Sequence, residues 1–423
     1  MNDFTEKNFI QREIERTLDN CTYCGECVMR CDIFPFLKLN ENKPSKVVKK
    51  KHVFLETGQA DEDIKKLIFS CSMCGKCSLV CPESLSPHFV MLGLRIKWRE
   101  AGREFPPIMK KVLPQNQFSY SKLVEALTLK SSEVDIIRDV QLNPPSSEQI
   151  LYLGCQLMPR ADILLTLLDI MSLIGFKGIV LSGPDLCCGY LNLMGGDLAT
   201  SEKMCKKLIN AFQRFKAKEV VFWCSDCYRR IKEYSAASNN KPNFKLTYLV
   251  EFLADNVEKW QFKKPIKDIV TYHDPCPLCF DSIFDPPREI IKCIPGLEFH
   301  EMERNRENSI CCSGNASRLM PQVSQRLTEQ RVIEATKTGA KKLLTSCYGC
   351  ERRFTDFVGG KYGITYPHLI MLIAEGHRIY HENVWEKLST SKDVKYIIER
   401  CKNAIEESPF NEDDIRRELP QYL

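Results

Sequence analysis

The sequence predicts an α+β protein, in which a helical N-terminal segment precedes two copies of an α/β unit with short parallel sheets. Three observations favour this fold class. Residues 1–102 show helical periodicity, the later part alternates short apolar runs with helical segments, and this alternation occurs twice. With 423 residues, 43% of them hydrophobic, the chain is long enough for several domains with sizeable cores.

The N-terminal segment, residues 1–102, opens with a predicted amphipathic helix in which Ile10, Ile14 and Leu18 recur at every fourth position. Two cysteine runs follow this helix. Residues 103–148 contain five prolines and no cysteine, so we interpret them as a linker with room for one helix.

The repeated unit is predicted over residues 149–262 and again over residues 263–378. Each copy opens with an apolar run that ends in a cysteine, first ILYLGC and then DIVTYHDPC. A second short run leads to two adjacent cysteines, and a third run ends in C-x-x-C. Because β-type runs alternate with helical segments, we expect parallel strands whose carboxyl ends carry the cysteines. A charged helical tail follows at residues 379–423.

Charge and hydropathy exclude several classes of protein. A net charge of +5 is too small to indicate a nucleic-acid partner. The longest apolar stretch, from Ile163 to Phe176, is interrupted by Asp169 and is shorter than the ~20 residues of a spanning helix. The N-terminal sequence shows no apolar signal region. We therefore expect a cytoplasmic protein without membrane insertion, which associates with a membrane only through a partner subunit.

Cysteine is strongly over-represented, at 22 residues. Disulfide scaffolds are short and secreted, which this chain does not resemble, so the thiols indicate metal or redox chemistry. Eighteen of them fall into motifs. The other four lack a ligand partner in the sequence and are Cys205, Cys279, Cys293 and Cys401.

Two runs in the N-terminal segment have the spacing C-x2-C-x2-C-x3-C. This spacing is typical of [4Fe–4S] clusters in bacterial-type ferredoxins, where three cysteines of a run bind one cluster and the fourth binds the other. We assign one cubane cluster to Cys21, Cys24, Cys27 and Cys81. We assign the second to Cys71, Cys74, Cys77 and Cys31. A pair of zinc sites is the alternative, but it gives no reason for the fourth cysteine in both runs.

Each copy of the repeated unit offers five cysteines. They are Cys155, Cys187, Cys188, Cys224 and Cys227 in the first copy, and Cys276, Cys311, Cys312, Cys347 and Cys350 in the second. A zinc site or a cubane uses four. Adjacent cysteines can supply one terminal and one bridging thiolate, so five ligands favour an open or unusual cluster. A cubane with one spare cysteine and a zinc site are the alternatives.

The arrangement C-x31-CCG-x34-C-x2-C, which begins in LGCQLMPR, resembles the cysteine-rich CCG domains of heterodisulfide reductases. The resemblance implies that the five cysteines of each copy hold a noncubane [4Fe–4S] cluster. The N-terminal part resembles the C-type subunit of that enzyme, and the order of the parts looks like the fused D-type subunit over about residues 10–378. Iron–sulfur subunits of glycerol-3-phosphate, glycolate and lactate oxidation systems share the same layout.

Three positions depart from the family's pattern. Ser313 follows the second cysteine pair where the family has a turn glycine, so the backbone there is expected to need a φ that serine tolerates poorly. This leaves open whether the second site holds the same cluster as the first. Pro277 stands after Cys276 in place of a histidine common in quinone-linked relatives. Asp32 follows Cys31 where a proline is usual.

An arginine pair follows each C-x-x-C motif, Arg229-Arg230 in the first copy and Arg352-Arg353 in the second. These side chains are expected either to attract an anionic substrate or neutralise cluster charge, or to form a solvated helix face.

Two polar residues stand just before Cys276. His273 and Asp274 fit a proton-donor pair, and a turn cap is the alternative.

Other redox cofactors are not signalled. The sequence contains no G-x-G-x-x-G after a strand, no P-loop and no C-x-x-C-H, so no flavin, NAD or haem site is predicted. Electrons must then be exchanged with another protein or a membrane carrier, and the expected partner is a redox protein such as a flavoprotein, a hydrogenase-type subunit or a haem-b subunit.

The resemblance implies an iron–sulfur oxidoreductase, one subunit of a complex. Two ferredoxin-type clusters would relay electrons to the CCG sites, where the chemistry reduces or forms a small thiol–disulfide such as the coenzyme M–coenzyme B heterodisulfide. One alternative is a pure electron relay between a flavoprotein or dehydrogenase and quinone. Another is a non-catalytic metal-binding or redox-sensing module.

Overall fold

The computed structural model describes residues 5–129, 147–157, 160–238, 241–314 and 319–423. They form a helical N-terminal part, two α/β units and a C-terminal group of helices. The predicted α+β fold class is confirmed, whereas the domain boundaries stay predictions. Within these ranges no helix combines the length and apolar character needed to cross a membrane.

Helices make up the N-terminal part. They are α1 (Glu6–Asn20), α2 (Glu26–Met29), α3 (Pro44–Thr57), α4 (Glu62–Ser70), α5 (Lys76–Leu79) and α6 (Pro87–Glu100). Ile10 and Ile14 of α1 are buried, as the predicted apolar stripe requires, and α1 packs on α6. Thr5 and Asp61 begin α1 and α4 because their side-chain oxygens accept an N–H of the first turn.

The two cysteine runs occupy equivalent places among these helices. Helices α1 and α4 end just before Cys21 and Cys71, the first cysteine of each run, and α2 and α5 contain the third cysteine. Gly75 precedes α5 with a φ of +77°, and the ring of Phe280 lies so close that a Cβ at this position would collide with it. Glycine is therefore required both by the backbone and by the neighbouring unit.

The predicted linker at 103–148 is only partly described. Its residues 103–129 contain two helices, one more than expected, α7 (Ile108–Val112) and α8 (Tyr120–Thr128). Residues 130–146 lie outside the described residues.

The first α/β unit contains a four-stranded parallel sheet in the order β2-β1-β3-β4. Its strands are β1 (Gln149–Tyr152), β2 (Ile179–Leu181), β3 (Glu219–Phe222) and β4 (Lys245–Tyr248). Its helices are α9 (Ala161–Leu173), α10 (Tyr190–Met194), α11 (Leu198–Arg214), α12 (Ser225–Ala237) and α13 (Leu249–Ala254). Ile150 lies opposite Ile179 on one side and Val220 on the other, and the predicted parallel pairing is confirmed.

The second unit repeats this order as β6-β5-β7, again parallel. Its strands are β5 (Asp268–His273), β6 (Leu297–Phe299) and β7 (Lys342–Thr345), and its helices are α14 (Asp285–Cys293), α15 (Pro321–Thr336), α16 (Tyr348–Phe357) and α17 (Leu369–His377). Two isolated parallel bridges, from Lys342 to Thr365 and from Thr345 to His368, occupy the place of β4.

The C-terminal tail is helical, as predicted. Its helices are α18 (Val384–Thr390), α19 (Val394–Arg400), α20 (Lys402–Glu406) and α21 (Glu412–Glu418). Leu123 and Leu127 of α8 are buried together with Ile397, Ile405 and Ile415 of the tail. The tail and the described end of the predicted linker therefore share one small apolar core.

Candidate metal centres

The first predicted set of four cysteines is gathered at one place in the N-terminal part. Burial raises the pKa of the Cys21 thiol, and the neighbouring thiols of Cys27, Cys24 and Cys81 raise it further. Cys24 is exposed, so this group reaches the protein surface. Cys81 belongs to the second run and yet lies near Cys21 of the first, and its assignment to the first cluster stays a prediction.

The second set is gathered in the same manner but is more deeply buried. Burial, together with the thiols of Cys74 and Cys71, raises the pKa of Cys31 to about 12. Burial and the same two thiols also raise the pKa of Cys77. Cys31 of the first run thus lies near Cys74 and Cys71 of the second run, and its assignment to the second cluster stays a prediction.

Asp32 joins the N-terminal part to the second α/β unit. Its carboxylate accepts the backbone N–H of Cys311 at 3.0 Å and a hydrogen bond from Lys76 at 2.9 Å. Lys76, almost fully buried, also donates to the carbonyl of Ser309. Proline at this position has no side-chain acceptor, so the departure from the usual pattern has a structural reason.

Two cysteines meet at the same contact. The thiol of Cys74 forms a hydrogen bond with Cys311, which together with burial holds the pKa of Cys74 well above its ordinary value. Cys74 belongs to the second N-terminal set and Cys311 to the second α/β unit. These two cysteine groups therefore adjoin each other.

The five cysteines of the first unit form a continuous chain of thiol contacts. Cys187 is hydrogen-bonded to Cys155 and Cys188, and Cys227 is hydrogen-bonded to Cys188 and Cys224. They lie just beyond the carboxyl ends of β1, β2 and β3, where the repeat predicted them.

The second unit shows the same chain in the same order. Cys276 is hydrogen-bonded to Cys311, and Cys312 to both Cys311 and Cys350, with 3.1 Å between the sulfurs of Cys312 and Cys350. Cys350 contacts Cys347 in turn. Both units thus bring all five predicted cysteines together.

The second cysteine of each adjacent pair is central in its chain and electrostatically distinct. Hydrogen bonds from Cys187 and Cys227 hold the pKa of Cys188 well below its ordinary value. Hydrogen bonds from Cys311 and Cys350 do the same for Cys312. In each chain the second cysteine of the pair is therefore the acceptor between two neighbouring thiols.

Ser313 adopts the left-handed backbone expected of the glycine that it replaces. Its φ is +61°, against +78° for Gly189 in the first unit, and both backbone N–H groups point at the sulfur of the first paired cysteine. A Cβ on Gly189 would collide with Ser201, whereas the Ser313 hydroxyl donates to the equivalent Ser324 at 2.9 Å. The turn is therefore preserved despite the substitution.

The two five-cysteine groups face each other across a shared cavity of about 130 Å³. Its wall includes Cys155 and Cys227 of the first unit, and Cys312, Cys347 and Cys350 of the second. The hydroxyl of Ser225 contacts the sulfur of Cys347 at 3.5 Å across this boundary.

Comparison with known proteins agrees with this arrangement. The sequence profile described as cysteine-rich domain, CCG, matches residues 150–232 and 270–355, and that of the 4Fe-4S dicluster domain matches residues 17–85. The chain joins a 4Fe–4S dicluster domain to two CCG domains. The helical N-terminal part is thus the dicluster domain, and the first and second α/β units are the first and second CCG domains.

The chain is homologous to iron–sulfur oxidoreductases. The D-type subunit of the dihydromethanophenazine:CoB–CoM heterodisulfide reductase of Methanosarcina barkeri is 31% identical over 216 residues, which are 49% of this chain and 53% of that protein. The B-type subunit of the fumarate reductase (CoM/CoB) of Methanothermobacter marburgensis is 28% identical over 216 residues, 50% of this chain and 42% of that protein. The chain thus spans about half the length of these relatives.

A third relative spans more of this chain. It is the "Probable iron-sulfur-binding oxidoreductase FadF" of Bacillus subtilis, 22% identical over 344 residues, which are 78% of this chain and 42% of that protein.

The arginine pairs of the two CCG domains differ. Arg230 is fully buried and forms a bidentate ion pair with Glu6 of the dicluster domain at 2.5 and 2.8 Å. Its charge also contributes to the low pKa of Cys188, after the hydrogen bonds from other thiols. Arg229 donates to the carbonyl of Met73 at 2.9 Å. A solvated helix face is therefore wrong for this pair.

The second arginine pair lies at the cavity. Arg352 and Arg353 line it, and both are paired with Asp356 at 3.1 Å. The guanidinium of Arg352 also lies 4.6 Å from the centre of the Tyr120 ring.

Asp274 has a structural role that agrees with the turn-cap interpretation. Its carboxylate accepts the backbone N–H of Arg306 at 2.8 Å and two hydrogen bonds from Arg288, at 2.8 and 3.0 Å.

Sequence reasoning missed the residues that join the domains. Arg95 of α6 is fully buried and donates to the carbonyls of Ile68, Cys71 and Met194, which ties a cysteine loop to the first CCG domain. No motif around Arg95 predicts that it joins two domains. Asp32 did carry a signal in the sequence, because it stands where a proline is usual.

Proposed function

We propose that this chain is one subunit of an iron–sulfur oxidoreductase, which carries electrons through its dicluster domain to the CCG domains. There the two five-cysteine sites act together to reduce, or to form, a small thiol–disulfide. The domain profiles and the homology to the D-type subunit of heterodisulfide reductase support the general class.

The donor sets fit iron–sulfur clusters. Each dicluster set presents four thiols, and each CCG site presents five that are already in contact. When bound, clusters at these sites would supply one-electron transfer and iron to which a substrate sulfur can attach. The proposed ligands are the eighteen cysteines named above: two cubane sets and two noncubane sets.

The shared cavity is the observation that carries the proposal. Reduction of a disulfide breaks one S–S bond, consumes two electrons and two protons, and yields two thiols. Cys188 and Cys312 belong to sites that face each other, so each sulfur of the broken bond has a site of its own. The volume of about 130 Å³ is roughly ten times what one water requires.

The dicluster domain supports an entry route for the electrons. Cys24 is exposed, so the first set faces a redox protein such as a flavoprotein, a hydrogenase-type subunit or a haem-b subunit. The second set lies deeper and contacts the second CCG domain through Cys74 and Cys311. We therefore place the transfer from the dicluster domain at the second CCG site, with Asp32 and Lys76 holding the contact.

The geometry and the relatives support a proposal for the substrate class. Two relatives carry coenzyme B and coenzyme M in their names. A disulfide of two small thiols of this kind is the proposed substrate. Arg352 and Arg353 at the cavity wall favour substrates with anionic groups.

Iron analysis and spectroscopy test the proposal. Anaerobically purified protein should contain about 16 iron atoms and as much acid-labile sulfide, as four [4Fe–4S] clusters require. Adding a small thiol or disulfide under oxidising conditions should create a new paramagnetic signal that broadens when the substrate carries sulfur-33. Cys188→Ser and Cys312→Ser should abolish this signal, whereas Cys293→Ser, at an exposed cysteine outside the sets, should not.

Two outcomes would contradict the proposal. About 8 iron atoms, with or without zinc, would mean that the CCG sites do not hold clusters. If no thiol or disulfide alters any spectrum while a flavoprotein or quinone still oxidises the protein, the chain is an electron relay without a substrate at the CCG sites.

A further inference from the structure

The two CCG domains differ at the residue that ends their first strand. Tyr152 ends β1 three residues before Cys155, and His273 ends β5 three residues before Cys276. The Tyr152 hydroxyl donates to the carbonyl of Leu186 at 2.5 Å, so its hydrogen is used within the first domain. His273 occupies the equivalent place in the second domain with different chemistry.

The ring of His273 is fixed by Arg331. The Nε of Arg331 donates to Nδ1 of His273 at 3.1 Å. The other guanidinium nitrogens donate to the carbonyl of Arg304 at 2.7 Å, to the carboxylate of Glu334 at 2.9 Å and to the hydroxyl of Ser309 at 2.9 Å. Because this guanidinium has four partners and is fully buried, it holds one orientation.

This contact decides which ring nitrogen of His273 carries the hydrogen. A guanidinium N–H can only donate, so Nδ1 must offer its lone pair. A protonated imidazolium would set two donors against each other at 3.1 Å. The ring is therefore neutral, with its hydrogen on Nε2.

The ring of His273 lies beside the cysteine sulfurs of the second CCG site. His273 is 1% exposed, and its Nε2 has no hydrogen-bond partner among the described residues. A ring nitrogen of His273 and the sulfurs of Cys312 and Cys350 all lie within 4.8 Å of one another. A buried N–H needs an acceptor, and these sulfurs are the acceptors that the site offers.

The same geometry excludes His273 as an iron ligand. A histidine that binds a metal through one nitrogen uses that lone pair and donates the N–H of its other nitrogen to an acceptor. Here the lone pair of Nδ1 is occupied by Arg331, and Nε2 carries the hydrogen. Although His273, Cys312 and Cys350 are close enough to resemble a three-ligand metal site, the histidine is in the wrong tautomer.

We infer that His273 is a positioning residue that donates an Nε2–H···S hydrogen bond to Cys312 or Cys350 and makes the second CCG site easier to reduce than the first. A hydrogen bond to a ligand sulfur withdraws negative charge and stabilises the reduced state. Tyr152 gives the first site no such bond, since its hydroxyl is already used. The inference rests on the proposed clusters of the CCG domains, but not on disulfide chemistry.

The test uses the loaded protein and three variants. His273→Leu removes the donor, His273→Gln keeps an N–H of similar reach, and Tyr152→Phe is the matched change in the first domain. A potentiometric titration followed by EPR measures each CCG signal, with the second-site signal assigned as the one lost in Cys350→Ser. At a fixed potential, His273→Leu should lower the reduced-to-oxidised ratio of the second site about tenfold, which is about 59 mV for one electron.

The controls separate hydrogen bonding from packing. His273→Gln should restore most of the shift, and Tyr152→Phe should leave the first-site ratio unchanged. Electron–nuclear double resonance should detect an exchangeable proton coupled to the second site in wild-type protein, and this coupling should vanish in His273→Leu.

Two results would overturn the inference. The first is an unshifted second-site ratio in His273→Leu protein that keeps its full iron content. The second is the loss of about four iron atoms from both His273 variants with the fold retained, since His273 would then be a ligand. Wild-type protein without CCG clusters would instead refute the proposed function.

Discussion

Asp32 accepts the backbone N–H of Cys311 at 3.0 Å, although 279 residues separate the two positions in sequence. One carboxylate thus links the loop after Cys31 to the first cysteine of the second CCG pair. Lys76 reinforces this link with a side chain that is 2% exposed. The ion pair of Asp32 and Lys76 is therefore one of the links that hold two proposed redox sites together.

Removing the carboxylate should weaken this contact. Asp32→Ala leaves Lys76 buried without its charged partner, which typically costs about 3–5 kcal/mol in the free energy of unfolding. Anaerobic urea denaturation, followed by circular dichroism and cluster absorbance, measures the effect. Glu406→Ala, which removes an exposed pair with Lys402, should cost less than about 0.5 kcal/mol.

The same variant should slow electron transfer between the domains. In rapid-mixing experiments, the dicluster domain of the Asp32→Ala variant should become reduced at the wild-type rate. The CCG domains of the variant should become reduced more slowly than those of wild-type protein. Equal rates at both domains in wild-type and variant would show that electrons do not cross at Cys74 and Cys311.

The crossover of the dicluster cysteines predicts an exchanged pattern of damage. Cys31 lies beside Cys74 and Cys71, so Cys31→Ser should alter the signal of the second set. Cys81 lies beside Cys21, so Cys81→Ser should alter the signal of the first set. Mössbauer and EPR spectra of the two variants distinguish these outcomes, and damage confined to the mutated residue's own run would disprove the crossover.

The sequence predicted most of what depends on local pattern. Apolar runs that end in cysteine marked β1 and β5, and Ile10 and Ile14 marked the buried side of α1. Contacts between distant segments left no such pattern. The ion pair of Glu6 and Arg230, for example, joins residues 224 positions apart. The sequence does not distinguish either of these buried charged residues from a charged residue at the surface.

For the helices outside the repeat, too, the sequence predicts the local pattern but not the distant contact. The periodicity of α8 reveals that Leu123 and Leu127 share a face, but not what covers it. The tail helices cover it, with Ile397 and Ile415 in the same core. Interpreting residues 103–148 as a linker with room for one helix missed this partnership because the two segments lie far apart in sequence.

Ser313 should respond differently to two small substitutions. Ser313→Ala keeps the strained positive φ and loses the bond to Ser324, so it should lower the free energy of unfolding by about 1 kcal/mol. Ser313→Gly loses the same bond but relieves the backbone, which typically contributes about 1 kcal/mol, so it should be nearly neutral. Chemical denaturation of both variants measures the difference, and equal costs would contradict the argument from φ.

His368 should make stability fall in mild acid. The ring is buried and stacked on Trp223, with 4.3 Å between the ring centroids, and burial, together with Arg160, lowers its pKa to about 3. In the unfolded chain the pKa is about 6.5. Between these values the unfolded state binds a proton that the folded state does not, so the free energy of unfolding decreases as the pH falls.

A substitution at His368 isolates this contribution. Its Nδ1 accepts the N–H of Ile370 at the start of α17, and asparagine can replace that cap. Between pH 6 and 5, the loss of stability in His368→Asn should be less steep than in wild-type protein by about 1 kcal/mol per pH unit, close to the value for one proton. Denaturation curves at several pH values measure these slopes.

The control is His300→Asn. The exposed His300 has a raised pKa through hydrogen bonds to Thr338 and Glu298, so its removal should not reduce the slope. Parallel slopes for wild-type protein and His368→Asn would show that His368 does not stay neutral in the folded state.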